Sequence, residues 1–171
     1  MTTDHQKLLE DVYKRAYEYE GKYGSCPQAV LSAVQDYFGN IDDSIIKAVH
    51  TFAGGGALCG DGTCGALIGG MAALSSQFGR NRKDFGQKTA NRLKSYSISK
   101  ELHSKFIEEF GGVICSEVQE KKIGRSYNLW DKEEYMKFEE AGGHDDKCTD
   151  VSGKVARWTA EILLDKGITP K

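Results

Sequence analysis

Five cysteines, Cys26, Cys59, Cys64, Cys115 and Cys148, are the residues of this 171-residue chain with the widest chemical repertoire. In a reducing compartment stable disulfides are rare, so such thiols act as buried hydrophobes, metal ligands or redox groups. The odd count argues against a fully paired set. No CxxC occurs, which removes the zinc-ribbon knuckle and the thioredoxin-type pair. No CxxCH occurs either, so covalent c-type haem is excluded by its attachment chemistry. Cys59-x4-Cys64 echoes the start of a plant-type ferredoxin run but lacks the x2-Cys that should follow.

Two of the five sit in the stretch GGGALCGDGTCGALIGG, residues 54–70, which packs eight glycines into seventeen positions. Within it Gly60-Asp61-Gly62-Thr63-Cys64-Gly65 spells GxGxxG. A dinucleotide fingerprint needs a buried strand before the glycines and an acidic residue ending a second strand about twenty positions on. Here the preceding segment, 44–52, has helical patterning, and Asp84 falls inside a basic run. The Gly-Lys-Ser/Thr ending of a P-loop is missing. Nucleotide binding is therefore set aside.

The elements that must carry the cysteines read as helices almost throughout. Leu8, Leu9, Val12, Tyr13, Ala16 and Tyr17 repeat at helical steps from Asp4 to about Tyr23. Ser25-Cys26-Pro27 opens a second helix with an inner face of Ala29, Val30, Ala33, Val34 and Tyr37, ending at Gly39-Asn40. Asp42 or Asp43 caps a short third through Ile45, Ile46 and Val49. After Thr63 a helix resumes with Cys64, Ile68, Met71, Ala72 and Ser75 on one side. Ser97 or Ser99 starts another through Leu102, Phe106, Ile107 and Phe110, closed by Gly111-Gly112. Cys115 heads a short apolar turn with Ile114 and Val118, and residues 119–127 look like loop. Asp131 opens an acidic helix to Glu140, broken by Gly142-Gly143. Cys148, Val151, Val155, Trp158 and Ile162 form the stripe of a last helix, 148–164.

Period-two strands and internal repeats are absent from this pattern, so the expectation is an all-α, single-domain multi-helix bundle over residues 1–171, with a Gly-rich cysteine loop. The chain is long enough to bury a sizeable core, and 39% hydrophobic against 28% charged residues fits a soluble globular protein. A net charge of −2 gives no global pull toward nucleic acid or membrane. No run of apolar residues is long enough for a membrane span, and the polar N-terminus is unlike a signal peptide. A cytoplasmic location is expected.

Positions of the cysteines narrow the chemistry. Cys26, Cys64 and Cys148 each fall at a predicted helix start on the apolar stripe, and Cys115 does so at a shorter turn. Helix starts offer unpaired N–H groups and partial positive charge, which should ease thiol ionisation. Converging starts suit thiolates and an anionic group such as an iron–sulfur cluster, or a low-pKa redox thiol pair.

The pattern resembles the small redox-active family named for its C…GCAxxG…C…C motif. Cys26-Pro27-Gln28-Ala29-Val30 is similar to its first element. Gly54-Gly55-Gly56 followed by Gly62-Thr63-Cys64-Gly65-Ala66-Leu67-Ile68-Gly69 is similar to the central one. Phe110-Gly111-Gly112-Val113-Ile114-Cys115 and Cys148 with Val151 resemble the third and fourth, so the likeness spans roughly 8–165. The central element reads Cys-Gly-Ala rather than Gly-Cys-Ala, and Cys59 is extra. The family resembles the core of split-Soret cytochromes. This implies an all-helical fold, redox activity and a homodimer, but not haem.

The expectation is a redox protein holding an iron–sulfur cluster, 2Fe–2S or 4Fe–4S, on Cys26, Cys64, Cys115 and Cys148, with Cys59 in reserve. Its work would be electron transfer or redox sensing with a redox partner protein. One alternative is a cluster-free thiol–disulfide oxidoreductase using Cys59 and Cys64, or Cys64 and a distant cysteine. A structural zinc or helical interaction module is another. His144 is four residues from Cys148 and could complete a mixed ligand set, although a solvated loop position is the plainer expectation, with Asp145 or Asp146 capping the last helix. His50 and His103 read as structural. The basic run 80–94, net +5, reads as a solvated face or a dock for an anionic partner. The acidic stretch 131–150, net −5, could meet it within a dimer.

Overall fold

Leu9, Val12 and Ala16 recur at three- and four-residue steps and wind α1 (Thr3–Tyr23) with one buried stripe. The stripe's next position is Glu20, also buried. Then α2 (Cys26–Phe38) begins with Ser25 at the N-cap and Pro27 in the first turn, where a missing N–H costs nothing. It buries the expected Ala29, Val30, Ala33 and Val34, leaves Tyr37 partly buried, and adds Leu31 and Phe38. The extra burial arises because α1, α4 and α8 all pack on it. Asp42 accepts from the Ser44 N–H at 2.8 Å and starts α3 (Asp43–Ala48), and a 3-10 turn follows at His50–Phe52.

The computed structural model describes residues 3–39, 41–86 and 90–171. Asn40, expected at the end of the second helix, and Lys88 of the basic run lie outside the described residues, as does the side chain of Arg92.

Three helices differ from the sequence reading. α4 (Gly65–Phe78) buries Ala66, Leu67, Gly70, Ala73 and Leu74, while Ser75 is exposed and Ile68, Met71 and Ala72 are half-buried. Its small residues permit the close approach of α2: a β-carbon at Gly69 would fall 2.9 Å from the Pro27 α-carbon. α5 (Ala90–Phe110) starts well before Ser97, since no breaker interrupts 90–99 and serine is tolerated inside a helix. α6 (Cys115–Ile123) converts part of the expected loop into helix, ending at the left-handed Gly124.

Asp131 caps α7 (Lys132–Glu140) by accepting from the Glu133 and Glu134 N–H groups. A π-helical turn, Gly143–Lys147, leads into α8 (Cys148–Asp165), which packs on α1, α2, α4 and α5. That placement buries Val151, Val155, Ala156, Ala160, Ile162 and Leu163, wider than a single stripe. Phe106 and Phe110 pack against each other on α5, tilted by 57° with centroids 4.7 Å apart; full burial of such a side chain contributes about 1.5–3 kcal/mol. Asp150 ties three helices together, accepting from Tyr13 Oη at 2.8 Å and Lys122 Nζ at 2.7 Å. Burial acts to raise its pKa, but those hydrogen bonds outweigh it and hold the carboxyl below its ordinary value.

The fold is all-α. Among the described residues the β-type pairing is an isolated antiparallel bridge between Thr63 and Ile114. It matters for function, because it locks the residues just before Cys64 and Cys115 side by side.

Candidate cysteine site

Four helices deliver one thiol each. Cys26, Cys115 and Cys148 are the first residues of α2, α6 and α8, and Cys64 is the N-cap of α4. All four line a single cavity of about 130 Å³. The bridge sets two of them: Cys64 N–H donates to Val113 O at 2.7 Å and Cys115 N–H to Gly62 O at 2.9 Å. Cys26 is set by close approach, since the Gly65 backbone sits against its sulfur.

Cys59 is different. It is exposed, does not line the cavity, and its sulfur lies 3.6 Å from Ala57 O. All five cysteines are free.

The helix-start argument for easy ionisation is overturned by burial. Desolvation pushes the Cys64 thiol up to about 12, against the smaller opposing effect of hydrogen bonds from the Ala66 and Leu67 backbone. Cys26 and Cys148 are driven well above their ordinary value, by burial first and then by the Glu20 charge. Burial also raises Cys115, although Gln119 Nε2, 3.5 Å from its sulfur, acts the other way. Without a positive partner these thiols stay protonated. A cation core placed among them would reverse that balance.

The rest of the lining is mainly apolar, with Leu58, Leu129, Val118 and Phe138, and one polar corner. There Glu20, 2% exposed, has Oε1 3.7 Å from His144 Nε2, and its Oε2 has no hydrogen-bond partner among the described residues. The other imidazole nitrogen, His144 Nδ1, is hydrogen-bonded to Glu139. Burial, with Glu139 adding, pushes the Glu20 carboxyl up to about 8. His144 is thus half-buried in the cavity wall rather than a solvated loop residue. Nor do Asp145 or Asp146 cap α8, whose N-cap is Lys147 with no side-chain cap bond. Sequence reasoning missed Glu20 and Gln119. Glu20 was marked by its place on the Leu9–Val12–Ala16 stripe, a charge where an apolar residue is due. Gln119 lay in a stretch read as loop, which hid its four-residue spacing from Cys115.

Among the described residues, no three His, Cys, Asp or Glu side chains are grouped tightly enough to hold a single metal ion. A larger groove, about 660 Å³, is lined by Tyr19, Tyr23, Gln28, Asp36 and His50 and contains no cysteine. His50 is exposed there and His103 is half-buried on α5. No helix among the described residues is long and apolar enough to cross a membrane.

Compared with known proteins, residues 24–162 match a family model described as "Putative redox-active protein (C_GCAxxG_C_C)", a span that takes in every cysteine. No curated protein and no solved structure gives a significant match.

Proposed function

The chain belongs to the C_GCAxxG_C_C family of redox-active proteins, and from that premise we propose that Cys26, Cys64, Cys115 and Cys148 hold an iron–sulfur cluster used for electron transfer or redox sensing. The observation that carries the reading is the gathering of these four thiols, from four helix starts, around one small apolar cavity. Four thiolates are the usual ligand set of such clusters. Buried thiols that resist ionisation are stable only when neutral or bound to positive charge, and the cluster's irons supply that charge when bound.

The chain's own residues do the rest. Backbone N–H groups of Ala66 and Leu67 donate toward the Cys64 sulfur, and Gln119 donates toward Cys115. The mainly apolar walls shield Cys64 and Cys115, which are buried, more than Cys26 and Cys148, which are half-buried. Exchange chemistry between Cys59 and Cys64 is less favoured, because Cys59 is exposed while Cys64 is buried in the cavity wall. Under this reading the protein works in a reducing cytoplasm, as a homodimer, with a redox partner protein.

Anaerobic purification followed by a visible spectrum and assays for iron and acid-labile sulfide tests the proposal. A brown protein with matched iron and sulfide is expected. A colourless, iron-free protein after attempted reconstitution would reject it.

A further inference from the structure

We propose that residues 54–58 form a gate over the cysteine cavity and that Trp130 is its latch. The cavity is small, about 130 Å³, and only partly open. Anything larger needs one wall to move, and the walls differ in how they are built.

Gly54, Gly55, Gly56, Ala57 and Leu58 have φ values of 60°, 77°, 86°, 48° and 60°, five consecutive residues in the left-handed region. The glycines take this conformation freely. Ala57 and Leu58 do not, and they are the two non-glycine residues with positive φ among the described residues. Each disfavours the closed form by roughly tenfold. Strain of this kind persists only where the surroundings enforce it, and it marks segments poised to change.

Ala57 N–H donates to Thr51 O at 2.7 Å, Leu58 N–H to Ala53 O at 3.1 Å and Gly60 N–H to Gly54 O at 2.9 Å, so the gate is tied to its immediate flanks and these bonds all lie within residues 51–60. Its far end is anchored on α6, where Ser116 N–H donates to Gly60 O and Cys115 N–H to Gly62 O. Its near end joins the 3-10 turn at Phe52. Between these anchors, Trp130 Nε1–H donates to Ala57 O at 2.7 Å. Trp130 is 70% exposed, so water competes for that bond. Ala53, Gly54 and Leu58 line the cavity, as does Leu129 beside Trp130, so releasing the latch uncovers the thiols. The gate operates whether the cavity takes a metal cluster or another thiol-reactive partner, and does not rest on the cluster.

The test is iodoacetamide labelling of the full-length, metal-free, reduced protein, with each cysteine followed by peptide mass spectrometry and exposed Cys59 as internal reference. Trp130→Phe keeps an aromatic ring and loses the donor, and should speed labelling of Cys26, Cys64, Cys115 and Cys148 several-fold with Cys59 unchanged. Ala57→Gly relieves the strain in the closed form and should slow the same four several-fold. Urea midpoints measured alongside separate local opening from global unfolding. Rates unchanged in both variants, or rates that simply follow the urea midpoints, would overturn the gate.

Discussion

A β-carbon at Gly65 would lie 2.6 Å from the Cys26 sulfur, so the first turn of α4 rests directly on the thiol that opens α2. Phe52 O and the Pro27 ring close the same space at 2.9 Å. The Cys26 thiol is therefore positioned by a backbone contact, one residue after Cys64, that only glycine permits.

Gly65→Ala should push Cys26 out of place while leaving the bundle folded, at a cost of about 1–3 kcal/mol for overpacking. Iron retained after reconstitution should fall severalfold while the helical circular dichroism stays near wild type. Full iron retention would show that Cys26 needs no such positioning.

Gln119 donates to Cys115 Sγ and its Oε1 accepts from the Tyr127 N–H at 2.9 Å, so its amide is held in one orientation. Hydrogen bonds to ligand sulfurs raise a cluster's potential. Gln119→Leu should shift the midpoint potential of the loaded protein to more negative values, measured by redox titration, and lower stability by about 1–2 kcal/mol through the unpaired Tyr127 N–H.

Glu20 predicts a pH signature in the metal-free protein. Its carboxyl holds a proton in the folded state up to about pH 8, whereas the unfolded chain releases it near 4.5. The folded state thus binds the extra proton between those values, and stability contributed by this group is lost as pH rises through that window. Glu20→Gln should be matched to wild type at low pH and become progressively more stable relative to it between about pH 4.5 and 8, in urea titrations. A constant difference across pH would contradict the assignment.

Thiol reactivity should separate the five cysteines. In native, metal-free protein at pH 8, a small thiol reagent should modify Cys59 at least tenfold faster than Cys26, Cys64, Cys115 and Cys148, given the desolvation that keeps those thiols protonated. Denaturation should abolish the difference. Equal native rates would show that the cavity is open.

The helical fold was legible because the apolar periodicity of α1, α2 and α8 is strong, and because Ser25-Cys26-Pro27 and Asp131 are local start signals. The buried face of α4 was not, since Gly65, Gly69 and Gly70 carry no side chain to register in a hydrophobic pattern yet make its tightest contacts. Likewise α5 hides its first turns behind serines and basic residues that look like a linker. For the site, the placement of four cysteines at helix starts was readable, as was the odd standing of Cys59. Their ionisation was misjudged, because a helix start is a local property and desolvation depends on how many elements close over it. Glu20 and His144 meet across 124 residues of sequence, and no local pattern announces such a pair.

The most direct test of the central claim is the iron and acid-labile sulfide content per chain after anaerobic reconstitution, compared between wild type, Cys59→Ser and Cys115→Ser. The account predicts matched iron and sulfide in wild type, the same content in Cys59→Ser, and severalfold loss in Cys115→Ser. No iron in the wild type, or iron that depends on Cys59 and not on Cys115, would contradict it.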